Sequence, residues 1–385
     1  MKNSKFDVSK IIALRHELHQ NPELSDNEFI TAERIVNFLS HLKPHKLIRG
    51  IGGNGIACIF KGEEIGPSVL FRCDMDALPI DEENDFEHKS IIKGVSHKCG
   101  HDGHMAIMAG LADLFSKKRP KKGQVILLFQ PSEENGKGAL NILNDEKFKN
   151  LKLDYVFALH NLPGFPLGSI VLRKDTFASA SKGMIIKLYG KTSHAAEPEN
   201  GISPAIAMAD IIKELDDIPN TKNIFSDLTL VTVVHAQLGE VAFGTSPGFA
   251  QIMATLRTFT NVDMQKITSE SERLIKKIAT ANNLRVEISY TEEFPASTNN
   301  NELVALVEKA AQLCNANFQH AKQPFPWSED FAHFTEKFPG VLFGLGSGID
   351  CAQLHNPDYD FPDGIIESGV KMFSEIHTQI QKTQK

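Results

Sequence analysis

The sequence predicts an α/β protein: a discontinuous α/β domain with a mainly parallel sheet, interrupted by an inserted ferredoxin-like α+β domain. Three observations carry this. Apolar runs at Ser68–Cys73, Val125–Gln130 and Tyr155–Leu159 are short and bounded by breakers or polar clusters, as strands buried on both faces require. The stretch from Gly183 to Tyr290 reads β-α-β-β-α-β, the split-βαβ order, and about 110 residues suffice for it. Beyond Glu293–Asn301, with Pro295 and a run of asparagines, the helix–strand pattern resumes and closes the first domain.

Taken in order, Val8, Ile11, Ile12 and Leu18 recur at helical spacing, as do Ile35, Phe38, Leu39 and Leu42. The helix predicted from about His104 to Lys118 places Ile107, Met108, Leu111, Leu114 and Phe115 on one side. In the insert, strands are expected at Gly183–Tyr189, Leu228–His235, Phe249–Leu256 and Leu284–Tyr290. Helices are expected at Ile202–Leu215 and Asp263–Asn282. A helix at Leu303–Asn315, a strand at Val341–Leu345 and a helix at Gly364–Gln381 complete the chain. The expected division is residues 1–181 with 297–385 for one domain and 182–296 for the insert.

Composition narrows the function. The 385 residues carry 41 Lys+Arg against 48 Asp+Glu, a formal net charge of −7. A general nucleic-acid binder would show the opposite sign. No apolar run approaches the ~18 residues of a membrane span, and the polar MKNSKFDVSK start lacks a signal-peptide stretch. The expectation is a cytoplasmic protein with no membrane or nucleic-acid partner. Five cysteines (Cys58, Cys73, Cys99, Cys314, Cys351) do not make a secreted disulfide framework.

Potential ligands and catalytic carboxylates gather in five places. Asp74 and Asp76 end one apolar run. Cys99, His101 and His104 precede a helix in Gly94-Val-Ser-His-Lys-Cys-Gly-His-Asp-Gly-His104. Glu133 and Glu134 end a second run, His160 ends a third, and His355 lies beyond the strand at Val341–Leu345. Open α/β sheets bind ligands outside the carboxyl ends of their strands, so residues distant in sequence can converge there. A thiol, imidazoles and a carboxylate suit zinc or a related transition ion. Two other readings are a metal-stabilised binding protein without turnover and a thiol nucleophile built on Cys99 and a histidine.

These residues resemble the aminoacylase and hippuricase branch of the dinuclear metallopeptidases, which includes the plant auxin-conjugate amidohydrolases. The resemblance runs from Arg15-His-Glu-Leu-His-Gln-Asn-Pro-Glu-Leu24 through Ser328-Glu-Asp-Phe331 to His355-Asn-Pro357. Cys99-Gly-His-Asp-Gly-His104 and Gln130-Pro-Ser-Glu-Glu134 are its most specific elements. It implies two divalent ions (zinc, manganese, cobalt or nickel) held by Cys99, His101, Glu134, His160 and His355, with Cys99 bridging. It further implies Glu133 as general acid/base for a metal-activated water and Asp76 orienting a ligand. His194 would reach the substrate carbonyl, across a dimer, and Arg257 would grip the substrate carboxylate. The insert would be lid and dimerisation surface, in a homodimer or higher homo-oligomer. The implied reaction is amide hydrolysis of N-acyl-L-amino acids, or the same chemistry on N-acetyl-diaminopimelate or dipeptides. Two positions depart from the pattern: Gly244 replaces an asparagine, and Glu199 replaces a histidine after His194-Ala-Ala-Glu-Pro198.

Overall fold

In a computed structural model that describes residues 6–220 and 224–383, the chain divides into two compact units. The first comprises 1–177, 297–323 and 330–385; the second comprises 178–296 and 324–329. The sequence reading runs the closing part of the first domain unbroken from 297, whereas Pro324–Glu329 clusters with the second unit. Hydrogen bonds account for this: the Ser179 N–H donates to the carbonyls of Phe325 and Trp327, and Arg257 reaches Pro326 and Ser328.

The first unit is built on an eight-stranded sheet. Its first five strands are β1 (Lys46–Ile51), β2 (Gly55–Lys61), β3 (Glu64–Asp74), β4 (Lys122–Gln130) and β5 (Tyr155–Pro163). The sheet order is β1-β2-β4-β3-β5, then Gly340–Gly348, Ile170–Leu172 and Phe318–His320. β3 runs parallel to β4 and β5, and β5 runs parallel to Gly340–Gly348, so their carboxyl ends share one edge. The antiparallel β1–β2 pair was not anticipated from sequence. Its signal is the Gly52-Gly-Asn54 turn between two apolar stretches.

Helices α1 (Val8–Gln20), α2 (Phe29–Ser40) and α3 (His101–Lys117) belong to this unit, with Asn301–Leu313 and Ile366–Thr383. Asp7 caps α1 by accepting from the Lys10 N–H. α3 is buried on nearly every side, beyond the single face its large residues suggest, because Ala106, Ala109, Gly110 and Ala112 let neighbours approach. Phe71, Phe157, Phe343 and Phe373 form a chain of ring contacts at 4.9–5.8 Å beneath the sheet edge. Truncating such a buried ring typically costs about 3–5 kcal/mol, so the strands that carry the site are firmly held.

The second unit has a four-stranded antiparallel sheet in the order Thr229–Leu238, Phe249–Thr258, Ala180–Tyr189, Arg285–Phe294. Numbered along the unit this is 2-3-1-4, the ferredoxin-like arrangement. Strict alternation in Phe249–Thr258 turns Ala250, Ile252, Ala254 and Leu256 onto the helices Ala205–Asp217 and Asn261–Ala281. The first of these helices starts three residues later than expected because Pro204 precedes it. Among the described residues no helix is long and apolar enough to cross a membrane.

Candidate metal centre

Each donor arrives through a distinct backbone device. Cys99 and His101 flank Gly100, which sits at φ 90°, a conformation that favours glycine. A Cβ there would lie 2.7 Å from Asn161 Nδ2. Gly100→Ala is therefore expected to destabilise the fold by roughly 1–3 kcal/mol, measurable as a lower urea midpoint. Glu133 and Glu134 follow Ser132 at φ 56°, held by its N–H to Glu28 Oε1 (2.7 Å) and its hydroxyl to Asp26 Oδ1 (3.0 Å). His160 lies near the end of β5, and His355 is held at φ 66° with its N–H donating to the Lys98 carbonyl at 2.8 Å.

The structure brings Cys99, His101, Glu134, His160 and His355 together in the first unit. The donor atoms of Cys99, His101 and His160 lie within 4.8 Å of one another, and so do those of Cys99, Glu134 and His355. The thiol belongs to both groups. Cys99 Sγ is 3.6 Å from His160 Nε2, His101 Nε2 is 3.7 Å from Glu134 Oε1, and Glu134 Oε2 is 4.0 Å from His355 Nε2.

Hydrogen bonds aim these atoms. His101 Nδ1 donates to the Asp76 carbonyl (2.9 Å), and His160 Nδ1 donates to the Asn161 carbonyl (2.9 Å). In both rings Nε2 is the nitrogen left facing the cluster. Asp76 Oδ2 accepts from the Ser25 hydroxyl (2.7 Å) and the Glu134 N–H (2.9 Å), and Oδ1 faces His101 Nδ1 at 3.4 Å. His101 Nε2 and Glu134 Oε1 are buried without a hydrogen-bond partner. Buried polar atoms normally have one; two such atoms facing a thiol and imidazoles fit a cation as the missing partner. His104, by contrast, is committed: Nδ1 donates to Asp74 Oδ1 (2.6 Å) and Nε2 accepts from the Asn161 N–H.

Electrostatics separate the readings. Burial, reinforced by Glu134, Glu133 and Asp74, pushes the Cys99 thiol well above its ordinary range. A nucleophilic cysteine needs electropositive surroundings instead, so the thiol-nucleophile alternative finds no support. Burial drives Glu134 up to about 7, with His101 opposing and Asp76 adding to the rise. Burial disfavours a charged His101, but Asp74, Asp76 and Glu134 outweigh it and raise the ring to about 10. The centre is thus rich in negative charge.

Glu133 is 5% exposed, and one oxygen accepts from the Asp330 N–H at 3.4 Å. Asp330 is fixed in turn by Arg72 Nη2 (2.7 Å), Gln130 Nε2 (2.7 Å) and the Ala139 N–H (2.8 Å). The sequence reading assigned Asp330 no role; its signal is the Ser328-Glu-Asp-Phe331 run. In the second unit, His194 sits exposed on a short strand paired with Thr245–Ser246. Its Nδ1 accepts from the Ala196 N–H at 3.1 Å, which sets Nε2 as the N–H donor. Gly244 supplies its carbonyl to the Ala195 N–H, and Glu199 is exposed in the turn that follows. Arg257 Nη1 donates to the Pro326 carbonyl (2.6 Å) and the Ser328 hydroxyl (3.0 Å).

Residues 70–379 match peptidase family M20/M25/M40. The chain is 29% identical over 379 residues to the N-acetylcysteine deacetylase of Bacillus subtilis, covering 98% of both proteins. It is 30% identical over 368 residues to the hippurate hydrolase of Campylobacter jejuni, covering 94% of both. Among solved structures, the YXEP protein of Bacillus subtilis, a dinuclear metal-binding peptidase of the M20 family, aligns with a TM-score of 0.84. That alignment has 27% identity and covers 98% of each chain.

Proposed function

This chain belongs to peptidase family M20/M25/M40, and from that premise we propose that it is a metal-dependent amidohydrolase that cleaves N-acyl-L-amino acids into a carboxylic acid and a free amino acid. One observation carries the reading: two three-donor groups share the Cys99 thiol. Relatives that deacetylate N-acetylcysteine and hydrolyse hippurate support the substrate class.

Cys99, His101, Glu134, His160 and His355 would hold two divalent cations, from among zinc, manganese, cobalt and nickel. Such ions, when bound, lower the pKa of water and polarise a carbonyl. The protein's own groups do the rest. Glu133, next to a ligand but on a separate side chain, takes the proton of the attacking water and delivers it to the departing amine. The Asp330 N–H keeps one Glu133 oxygen oriented, and Asp76 keeps His101 aimed, its main-chain carbonyl accepting the ring N–H and its carboxylate lying 3.4 Å away. A carboxylate in that orienting place raises ligand basicity and fixes the tautomer. A binding protein without turnover has no use for the proton carrier, which favours the enzyme.

His194 donates its Nε2–H, across the dimer, to the substrate carbonyl oxygen as negative charge develops. His194→Ala is expected to lower kcat about a hundredfold with metal content unchanged. An unchanged rate, read beside metal analysis, would remove it from the reaction. Arg257 grips the substrate carboxylate with the part of its guanidinium not given to Pro326 and Ser328.

The reading extends to a homodimer or higher homo-oligomer through the second unit. Strand Thr229–Leu238 is an outer strand of its sheet and shows Leu230 and Val234 to solvent; such an edge is a template for pairing with another chain. It also includes a cytoplasmic location, since the five cysteines are all free, as a reducing compartment keeps them. Metal analysis combined with hydrolysis of N-acetyl, N-benzoyl and indole-acetyl amino acids, N-acetyl-diaminopimelate and dipeptides tests the whole reading. Turnover of none of these, by protein with a full metal complement, would refute it.

A further inference from the structure

Cys99 and His101 point toward the donor cluster, while the residues beside them, Lys98 and Asp102, point the other way. Both are fully buried, and both end in one ionic network. Lys98 Nζ donates to Glu82 Oε1 (2.6 Å), Asn84 Oδ1 (2.7 Å) and the Tyr359 carbonyl (2.8 Å). Asp102 Oδ2 accepts from His19 Nδ1 at 2.9 Å, and His19 Nε2 donates to the same Glu82 Oε1 at 3.0 Å. The other Glu82 oxygen accepts from the Ser90 N–H at 2.7 Å. One carboxylate therefore ties both flanks of the Cys99–His101 segment.

The same segment reaches the remaining ligand loop. The Lys98 carbonyl accepts the His355 N–H, the Glu83 N–H donates to the Pro357 carbonyl (3.1 Å), and Asn84 Nδ2 donates to the Asp358 carbonyl (2.8 Å). Lys98–Gly100 and the stretch around His355 lie outside helices and strands, while His101 and Asp102 open α3. A metal centre tolerates donor displacements of only about 0.2 Å. Something must hold the loops in register, and Glu82–Asn84 is bonded to both.

We propose that Glu82 is a positioning residue for the metal centre: through Lys98 and His19 it clamps the Cys99–His101 segment at the start of α3 to the loop of His355. The inference rests on the ligand assignment proposed above. A buried lysine deprived of its carboxylate must rearrange or recruit water, because an unpaired buried charge is costly. The Lys98 backbone, on which Cys99 and His355 both depend, shifts with it.

The test uses full-length protein stripped of metal and refilled with cobalt(II). Glu82→Gln is expected to bind cobalt roughly tenfold or more weakly in chelator competition and to alter the thiolate-to-cobalt and ligand-field absorption bands. The double variant Glu82→Gln/Lys98→Met strands no charge and is expected to show the same weakening, so a folding defect in the single variant does not block the test. Val304→Ala, in the buried face of Asn301–Leu313, is the control for lost stability alone and is expected to keep the wild-type spectrum and affinity. Failure of wild-type protein to take up cobalt overturns the ligand assignment and the clamp with it. Normal uptake by wild type, with unaltered affinity and bands in both Glu82 variants, overturns the clamp alone. So does an equal loss in Val304→Ala.

Discussion

Glu133→Ala is expected to retain about two metal ions per chain and to lose turnover by roughly a hundredfold to ten-thousandfold, the range for removing a general acid–base group. The argument is one of divided labour. Glu134 is half-buried and within donor reach, and its buried Oε1 has no hydrogen-bond partner. Glu133, its neighbour, also comes within 4.8 Å of His101 and Glu134, but one of its oxygens accepts from the Asp330 N–H. Removing the proton carrier leaves the proposed ligand set intact, so metal content and catalysis should separate. Turnover is measured under saturating metal, with metal counted by elemental analysis. A variant that keeps wild-type turnover would end the assignment of Glu133; one that loses metal in parallel with activity would make it a ligand.

Cys99→Ala should have the other large effect, this time on metal stoichiometry. Cys99 is common to the group with His101 and His160 and to the group with Glu134 and His355. His160→Ala removes a donor from the first group alone, and His355→Ala from the second alone. Each histidine variant is expected to keep about one ion tightly, whereas loss of the shared thiol weakens both sites and activity falls to background. Titration with a chelator distinguishes the cases, since two ions leaving in one step from Cys99→Ala contrasts with stepwise loss from the histidine variants. Full, tight loading of Cys99→Ala would show that the thiol bridges nothing.

The proposed donors were legible in the sequence because each sits in a short motif at or beyond the end of an apolar run, where chain chemistry and strand position coincide. His160 closes the Tyr155–Leu159 run, and Glu133 and Glu134 follow Val125–Gln130. The family match agrees with the resemblance those motifs carry. Asp330 was less legible: its contact with Glu133 spans 197 positions and uses a backbone N–H, which has no residue-type signal. Helix starts moved for local reasons. α3 begins at His101 rather than near His104 because Gly100 adopts a left-handed conformation from which the helix departs. The β1–β2 hairpin went unread because β2 is apolar on both faces, leaving no alternation to identify it.

By itself the sequence determined the two-part α/β architecture and the place along the chain of each proposed donor. These follow from patterning and residue chemistry, which act over a few neighbouring positions. The tertiary structure alone decided which nitrogen of His101 and His160 faces the centre, that His104 is spent on Asp74, and that Lys98 and His19 meet at one carboxylate. Those outcomes depend on burial and on hydrogen bonds between segments brought together only by folding. A buried charge or imidazole takes whatever partner the packing supplies.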